Sequence, residues 1–309
     1  MTNDIHSACK SAAEKIKSFP KETRVRVVSH YDADGISAAA IICKTLYRAG
    51  YNFHATLMRN PFDKGLQRIS KEENEIVIYS DMGSGQIETI EEMENDSIIF
   101  DHHQPRKKQT KDHVLQINCN HFGINGNYEA CGSTIAYIFS TEFNENNTDL
   151  ASLSITGMTG DKQYIGGFRG LNKEIIEKTV QNGVVEEKTG IKLSCETIFD
   201  SLYYSIDPYY SGISGNKDKI EELLNKFGID KDKKIKELKP EELKKINSYL
   251  MLTLLEKKCE KNILDTVIRK RYYTNIFNME SEQLADLFDS CGKGGNRGIG
   301  LSLALGDKE

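Results

Sequence analysis

The sequence predicts an α/β protein whose core is a doubly wound, mainly parallel sheet. Over the first half of the 309-residue chain, short apolar runs alternate with helix-forming segments, which is the pattern of strand–helix–strand units in a parallel sheet. Several runs end directly in acidic or histidine residues; residues 25–28, for example, lead into His30, Asp32 and Asp34. Open parallel sheets bind ligands at the carboxyl ends of their strands. The same pattern therefore predicts both the fold class and the edge of the sheet that carries the site.

The individual elements follow from local spacing and from turn residues. Apolar residues at helical intervals predict a helix over 4–18, which stops before Phe19-Pro20. A strand over 25–29 follows, and then an alanine-rich helix over 36–49 that Gly50 ends. The same criteria predict strands at 52–57, 76–80, 98–100 and 114–118, and helices at 86–93, 132–143 and 150–159. Together these elements predict one α/β domain over residues 1–187.

The composition changes after about residue 187. Lysine, glutamate and leucine dominate residues 216–262, and apolar residues recur at helical spacing in 220–227 and 250–255. Pro240 stands in the first turn of a further helix, a position that proline favours. We therefore expect a mainly helical region over residues 188–275.

Four segments of the chain deliver acidic or histidine side chains. These residues are His30, Asp32 and Asp34 in the first segment, Asp81 in the second, Asp101, His102 and His103 in the third, and Asp161 in the fourth. If they converge on one crevice, like charges would force protons onto some carboxylates. Divalent cations remove this conflict, because about two cations neutralise about four carboxylates and imidazoles add neutral ligands. The sequence therefore predicts a two-cation site.

Some of these residues also have simpler interpretations. Asp32 and Asp34 are two positions apart, so in an extended segment both would point to the same side; alternatively, one of them caps the helix that follows. Taken alone, Asp81 could be a turn aspartate. Asp101 directly precedes two histidines and could orient an imidazole.

Charge and cysteine content limit the classes of function. The net charge of −5 argues against a protein that coats nucleic acid through its overall charge. No apolar run is long enough to span a membrane, and no signal peptide is evident. The seven cysteines form no Cys-x-x-Cys pair, which predicts reduced thiols and a cytoplasmic location.

A basic run follows the histidine pair and consists of Arg106, Lys107, Lys108 and Lys111. It is either ordinary solvated surface or the rim where an anionic substrate arrives.

The four motifs in this order resemble the DHH phosphoesterase family, whose name corresponds to Asp101-His102-His103 here. Within that family the chain is most similar to archaeal RecJ-like nucleases, including the GINS-associated type. The narrower resemblance is carried by the segment from Gly157 to Gln163 with Gly170-Leu171-Asn172, by Tyr204-Ser205-Ile206-Asp207-Pro208-Tyr209, and by the stretch from Cys291 to Asp307.

The resemblance implies roles for individual residues. Two cations, Mn²⁺ first and Mg²⁺ as the alternative, would be held by His30, Asp32, Asp34, Asp81, His102 and Asp161, with Asp81 as the bridge. His103 would face the phosphate, and Asp101 would lie behind the ligands. Lys162 and Arg169 would be auxiliary cations, while the basic run from Arg106 to Lys111 would guide the substrate backbone.

The implied function is a metal-dependent phosphodiesterase that digests single-stranded DNA or RNA from an end, in replication or repair and with a GINS-type factor as partner. Two alternatives stay open: an enzyme for short oligonucleotides or cyclic dinucleotides, and a non-enzymatic replisome component. The chain lacks the glycine-rich, histidine-bearing motif that ends the second domain of such family members. Residues 276–309 are therefore expected to be the start of an incomplete DHH-associated domain with a weak grip on long strands.

Overall fold

Five parallel strands form the central sheet of the computed structural model, which describes residues 4–59, 64–276 and 278–307. The strands are β1 (Arg24–His30), β2 (Asn52–Met58), β3 (Ile76–Ser80), β4 (Asp96–Asp101) and β5 (Val114–Asn118). Their order in the sheet is β2-β1-β3-β4-β5. The direction of winding reverses between β1 and β3, and open α/β sheets bind ligands at the carboxyl ends of the strands at such a point. The predicted fold class is confirmed.

Helices cover both faces of this sheet. They are α1 (Ile5–Lys17), α2 (Ala33–Arg48), α3 (Lys64–Ile69), α4 (Ile87–Glu91), α5 (Gly132–Phe143), α6 (Ala151–Gly160) and α7 (Gly170–Gln181). Successive strand residues point to opposite faces. In β3, Ile76 and Ile78 join the core that includes α1, α2 and α5, whereas Val77 and Tyr79 join the core beneath α3 and α4. Burial on both faces explains why β3 is apolar throughout rather than alternating.

A second, smaller unit comprises Glu187–Arg271. Its elements are the end of β6 (Val185–Gly190), α8 (Ile198–Tyr203), α9 (Lys217–Phe227), α10 (Pro240–Glu256), α11 (Lys261–Val267) and the start of β7 (Arg269–Thr274), and β6 pairs with β7. Its helices bury their own apolar cluster, with Ile198, Ile220 and Leu250 inaccessible to solvent. No helix in the described ranges has both the length and the apolar character needed to cross a membrane.

The last two helices, α12 (Ser281–Lys293) and α13 (Arg297–Leu305), belong to the first unit. Leu284 and Phe288 of α12 are buried in the same core as Ile36 of α2. The Asp289 carboxylate accepts a 2.8 Å hydrogen bond from the Ala33 N–H, which opens α2. The assignment of residues 276–309 to a separate domain is therefore corrected, because the apolar face of α12 completes the core around α2.

Candidate metal centre

Asp81 is at the centre of the cluster of predicted ligands. It follows β3, is 2% exposed, and adopts a left-handed backbone conformation with φ of +56°, which costs energy for a residue other than glycine and is frequent at functional sites. Its Oδ1 lies 3.1 Å from His102 Nε2, while its Oδ2 lies 3.5 Å from His30 Nδ1. The two oxygens of one carboxylate thus face two different groups of side chains.

The first group consists of His30, Asp32 and Asp81, whose ligand atoms lie close enough to hold one ion. His30 Nδ1 is 2.7 Å from Asp32 Oδ2. The other oxygen of Asp32 accepts a 3.0 Å hydrogen bond from the Gly35 N–H and caps α2. The two interpretations of Asp32 are therefore compatible, because each oxygen serves one of them.

The second group consists of Asp34, His102 and Asp161. His102 Nε2 lies 3.3 Å from Asp161 Oδ2 and 3.9 Å from Asp34 Oδ2. Asp161 caps the C-terminus of α6, as the predicted helix over 150–159 implied. Asp34, by contrast, lies in the first turn of α2 and not in an extended segment. The argument from strand alternation was therefore wrong, although both aspartates reach the site.

The N-terminus of α5 holds the Asp34 carboxylate. Oδ2 accepts a hydrogen bond of 2.7 Å from the Gly132 N–H, and Oδ1 accepts one of 3.0 Å from the Ser133 N–H. A side chain at position 132 would not fit, because its Cβ would lie 2.6 Å from the Asp81 Cβ. Gly132 therefore allows two acidic residues to approach one helix N-terminus, where the helix dipole favours negative charge.

His102 and His103 are each oriented by a partner of their Nδ1 atom. His102 Nδ1 is 2.6 Å from the carbonyl oxygen of Gly126, which leaves Nε2 facing the acidic side chains. The buried Asp101 accepts hydrogen bonds from the backbone N–H groups of His102 and His103, and its Oδ1 lies 2.8 Å from His103 Nδ1. The His103 side chain is 55% exposed. Asp101 thus lies behind the histidines, and His103 lies on the open side.

In the metal-free protein, the nearby charges and burial shift the pKa values of several predicted ligands. Burial first, and then the charge of Asp81, raise the pKa of Asp34 to about 6. Burial and the charge of Asp34 raise the pKa of Asp161 well above its usual value. Burial opposes protonation of His30, but the nearby carboxylates of Asp32 and Asp81 outweigh it and raise its pKa to about 11. Protonated imidazole therefore neutralises part of the acidic cluster when no cation does.

A divalent cation fits this set of side chains. Asp81 Oδ1 and His30 Nδ1 are buried, and their close contacts with His102 Nε2 and Asp32 Oδ2 lack the alignment of hydrogen bonds, whereas buried polar atoms are normally satisfied. A cation between the groups would supply the missing interaction. Carboxylate oxygens suit Mn²⁺ and Mg²⁺, and the imidazoles add nitrogen ligands to the set.

The basic run divides into two pairs. Lys107 Nζ lies 2.6 Å from Glu91 Oε2, and Lys111 donates to the Glu91 carbonyl, so both bind to the end of α4. The Arg106 side chain is 66% exposed, and its Nη1 makes only a long contact of 3.9 Å with Oε2 of Glu88, which is itself exposed. The Lys108 ammonium donates to the backbone carbonyl of His121. Lys107 and Lys111 thus have a structural role, because the negative charge of the buried Glu91 carboxylate requires a positive charge nearby.

The other two predicted cations lie on either side of the loop after α6. Lys162 is exposed and directly follows Asp161. The Arg169 guanidinium lies 5.7 Å from the ring of Tyr128, which is 46% exposed. Sequence reasoning missed Tyr128, because a lone tyrosine in a polar loop carries no periodic signal. It also missed Gly126, which acts through its backbone carbonyl.

Neutralising two of the acidic residues should change the stability of the metal-free protein in opposite directions. At pH 7 Asp161 costs stability, because its pKa is higher in the folded than in the unfolded protein, so Asp161→Asn should raise the melting temperature in EDTA. Burial opposes ionisation of Asp81, but the nearby imidazoles of His102 and His30 outweigh it and lower its pKa, so Asp81→Asn should lower the melting temperature. The gain from Asp161→Asn should disappear as the pH falls and Asp161 becomes protonated. Shifts of the same sign in both variants would contradict these charge assignments.

Binding of Mn²⁺ should release protons, because imidazole must be neutral to bind a metal. Between the pKa of about 6 for Asp34 and the pKa of about 11 for His30, the metal-free site carries a proton on His30 and lacks one on Asp34. We therefore expect the affinity for Mn²⁺ to rise with pH within this window. Calorimetric titrations in buffers of different ionisation enthalpy measure the released protons, and binding without any proton release would contradict the prediction.

Comparison with known proteins identifies a family model and a relative that match this chain. Residues 24–158 match the DHH family, N-terminal domain. The chain is 29% identical over 316 residues to the uncharacterized protein MJ0831 of Methanocaldococcus jannaschii, an alignment that covers 96% of this chain and 70% of that protein.

Two solved structures have the same fold. CDC45 from Entamoeba histolytica superposes with a TM-score of 0.67 at 14% identity, over 97% of this chain and 67% of that chain. RecJ from Thermus thermophilus, solved in complex with Mn²⁺, superposes with a TM-score of 0.53 at 14% identity, over 97% of this chain and 35% of that chain. The chain thus spans about a third of the length of that RecJ. Over residues 24–158 the chain therefore matches the N-terminal domain of the DHH family.

Proposed function

We propose that this protein is a metal-dependent phosphodiesterase that removes nucleotides from an end of single-stranded DNA or RNA, as a RecJ-like exonuclease. The observation that supports the proposal most strongly is the position of Asp81, whose two oxygens face separate groups of ligands. A carboxylate shared in this way is the arrangement that two-cation phosphodiesterases need. Every one of the six predicted ligands lies in this cluster.

The two groups would divide the cations between them. His30 and Asp32 would hold one ion, Asp34, His102 and Asp161 would hold the other, and Asp81 would contribute to both. When bound, Mn²⁺ or Mg²⁺ supplies the Lewis acidity that makes water nucleophilic at neutral pH and neutralises charge on phosphoryl oxygens. The ligand set contains both carboxylate oxygens and imidazole nitrogens, so we favour Mn²⁺ over Mg²⁺.

His103 is the candidate for contact with the phosphate. Its Nδ1 is bonded to the buried Asp101, so Nε2 is the nitrogen available to a phosphoryl oxygen. The interaction with Asp101, together with the charge of Asp81, raises the pKa of His103 above its ordinary value, although burial acts in the opposite direction. A protonated His103 would therefore donate to the phosphoryl oxygen and stabilise its developing charge.

Exposed side chains near the centre would hold the strand. Tyr128 offers a ring on which a base can stack, and Arg169 lies against that ring. Arg106 and Lys108 would bind phosphates beside the histidine pair, and Lys162 would do so beside Asp161. Association with a GINS-type replication factor, which the resemblance implies, is also a proposal, and co-elution of the two purified proteins would test it.

An assay with end-labelled single strands and Mn²⁺ tests the function directly. The wild type should shorten the strands, and Asp81→Asn should lose on the order of 10²–10³-fold in rate, since metal assistance contributes several kcal/mol. Asp149→Asn is the matched control, because Asp149 is an exposed aspartate that pairs with Arg48 outside the centre. Wild-type rates in Asp81→Asn would contradict the assignment. Cleavage of dinucleotides but not of longer strands would favour the small-substrate alternative.

The two halves of the basic run should differ in their effect on strand binding. Changing Arg106 and Lys108 to glutamine should lower the slope of log affinity against log salt by roughly 0.7 for each lost phosphate contact. Changing Lys107 and Lys111 to glutamine should leave that slope unchanged and lower the melting temperature, because the buried Glu91 carboxylate loses the Lys107 ammonium and its carbonyl loses the Lys111 ammonium. Equal slopes in both double variants would mean that this run does not bind the strand.

A further inference from the structure

A buried chain of amide and hydroxyl groups leads from α7 to the metal centre. Gln163 and Asn172 are 2% and 0% exposed, and among the described residues their side chains hydrogen-bond to each other, to Thr134 and to two backbone carbonyls. The Gln163 amide nitrogen donates to the carbonyl oxygens of Gly126 (2.9 Å) and Ala130 (3.2 Å). The Gly126 carbonyl is the same one that His102 Nδ1 approaches at 2.6 Å. Gln163 and His102 therefore share one acceptor.

The direction of every hydrogen bond in this chain is determined. Backbone carbonyls only accept, so the Gln163 nitrogen must face them and Gln163 Oε1 must accept from Asn172 Nδ2. Asn172 Oδ1 then accepts from the Thr134 hydroxyl at 2.6 Å. By the same reasoning, His102 must carry a proton on Nδ1, because a carbonyl cannot donate one. Nε2 is thus the nitrogen that would lose its proton and bind a cation.

A second branch of the chain reaches Asp34. Thr134 Oγ1 accepts a 3.1 Å hydrogen bond from the N–H of Cys131, the residue that caps α5. The Cys131 thiol lies 3.0 Å from Asp34 Oδ1. The first turn of α5 donates its N–H groups to the same carboxylate. Asn172 is therefore connected to both His102 and Asp34, which belong to one ligand group.

We propose that Gln163 and Asn172 are positioning residues of the metal centre, which hold His102 through the Gly126 carbonyl and Asp34 through Thr134 and Cys131. The inference rests on the proposed metal centre and extends it to residues that touch neither cation nor substrate. Partners behind a metal-binding histidine fix its tautomer and ring orientation. The buried position of this chain makes each of its bonds costly to leave unmade.

Mn²⁺ titration of the full chain tests the proposal. Gln163→Met replaces a buried amide by an apolar side chain of similar length, and the affinity for Mn²⁺ should fall by roughly 10- to 100-fold. Asn147→Leu is the matched control, since Asn147 is 2% exposed and its amide also donates to a backbone carbonyl, that of Ser140, outside the centre. Asn147→Leu should lower the melting temperature and leave the affinity unchanged. An unchanged affinity in Gln163→Met, or the same loss in both variants, would overturn the proposal.

A spectroscopic measurement separates positioning from general destabilisation. In ¹⁵N-histidine-labelled protein with Mg²⁺, His102 should show a single form protonated at Nδ1, and Gln163→Met should show a mixture of tautomers. If Gln163→Met does not fold, Thr134→Val removes only the hydroxyl, and it should also lower the affinity for Mn²⁺; wild-type affinity would overturn the proposal. A wild type that binds Mn²⁺ without cutting strands would refute the proposed function but not this inference.

Discussion

The organisation of this protein depends on the concentration of like charge around Asp81. Four aspartates and three histidines meet at the carboxyl ends of β1, β3 and β4, and Asp81 itself is almost fully buried. Without compensation, such a cluster would take up protons or unfold. The fold compensates with imidazoles and backbone N–H groups. Asp81 itself adopts a left-handed backbone conformation, which is costly for a residue other than glycine.

Helix termini contribute unequally to this compensation. Asp32 caps the N-terminus of α2, and Asp34 receives N–H groups from the N-terminus of α5, so both lie where a helix dipole favours an anion. Asp161 is the exception, because it lies at the C-terminus of α6. A helix dipole is unfavourable to an anion at that end. Asp161 is therefore the ligand that depends most on a cation for its charge to be tolerated.

The core around α2 explains why distant parts of the chain contribute to one site. α2 carries Asp34 in its first turn and is buried along most of its length, including Ala38, Ala39 and Ala40. These small side chains allow α5, α6, α12 and α13 to pack against it. Asp289 of α12 adds a hydrogen bond at the very start of α2. The position of the first-turn ligand is thus fixed by helices that are far apart in sequence.

The sequence predicted the strands well because they are short, apolar and bounded by polar residues; residues 76–80 and 114–118 coincide with β3 and β5. It predicted α2 three residues too late, since Asp32 was read as part of a strand end rather than as a cap. The roles of Lys107, Lys111 and α12 could not be predicted. Their partners, Glu91 and α2, are brought near only by the folded chain.

The contribution of Gly126 was inaccessible to sequence reasoning for a different reason. It orients His102 through a backbone carbonyl, and carbonyls are the same in every residue. Gln163 and Asn172 lay within segments that carried the family resemblance, but spacing alone did not indicate that they bond to each other. Side-chain chemistry along a sequence reveals ligands more readily than it reveals the groups that orient them.

The central claim is that Asp81 is shared between two cations. Anomalous diffraction from crystals of the full chain soaked in Mn²⁺ measures this directly. We expect two peaks about 3.5–4 Å apart, one beside His30 and Asp32 and one beside Asp34, His102 and Asp161, with a different Asp81 oxygen directed at each. A single peak, or two peaks of which only one contacts Asp81, would contradict the account.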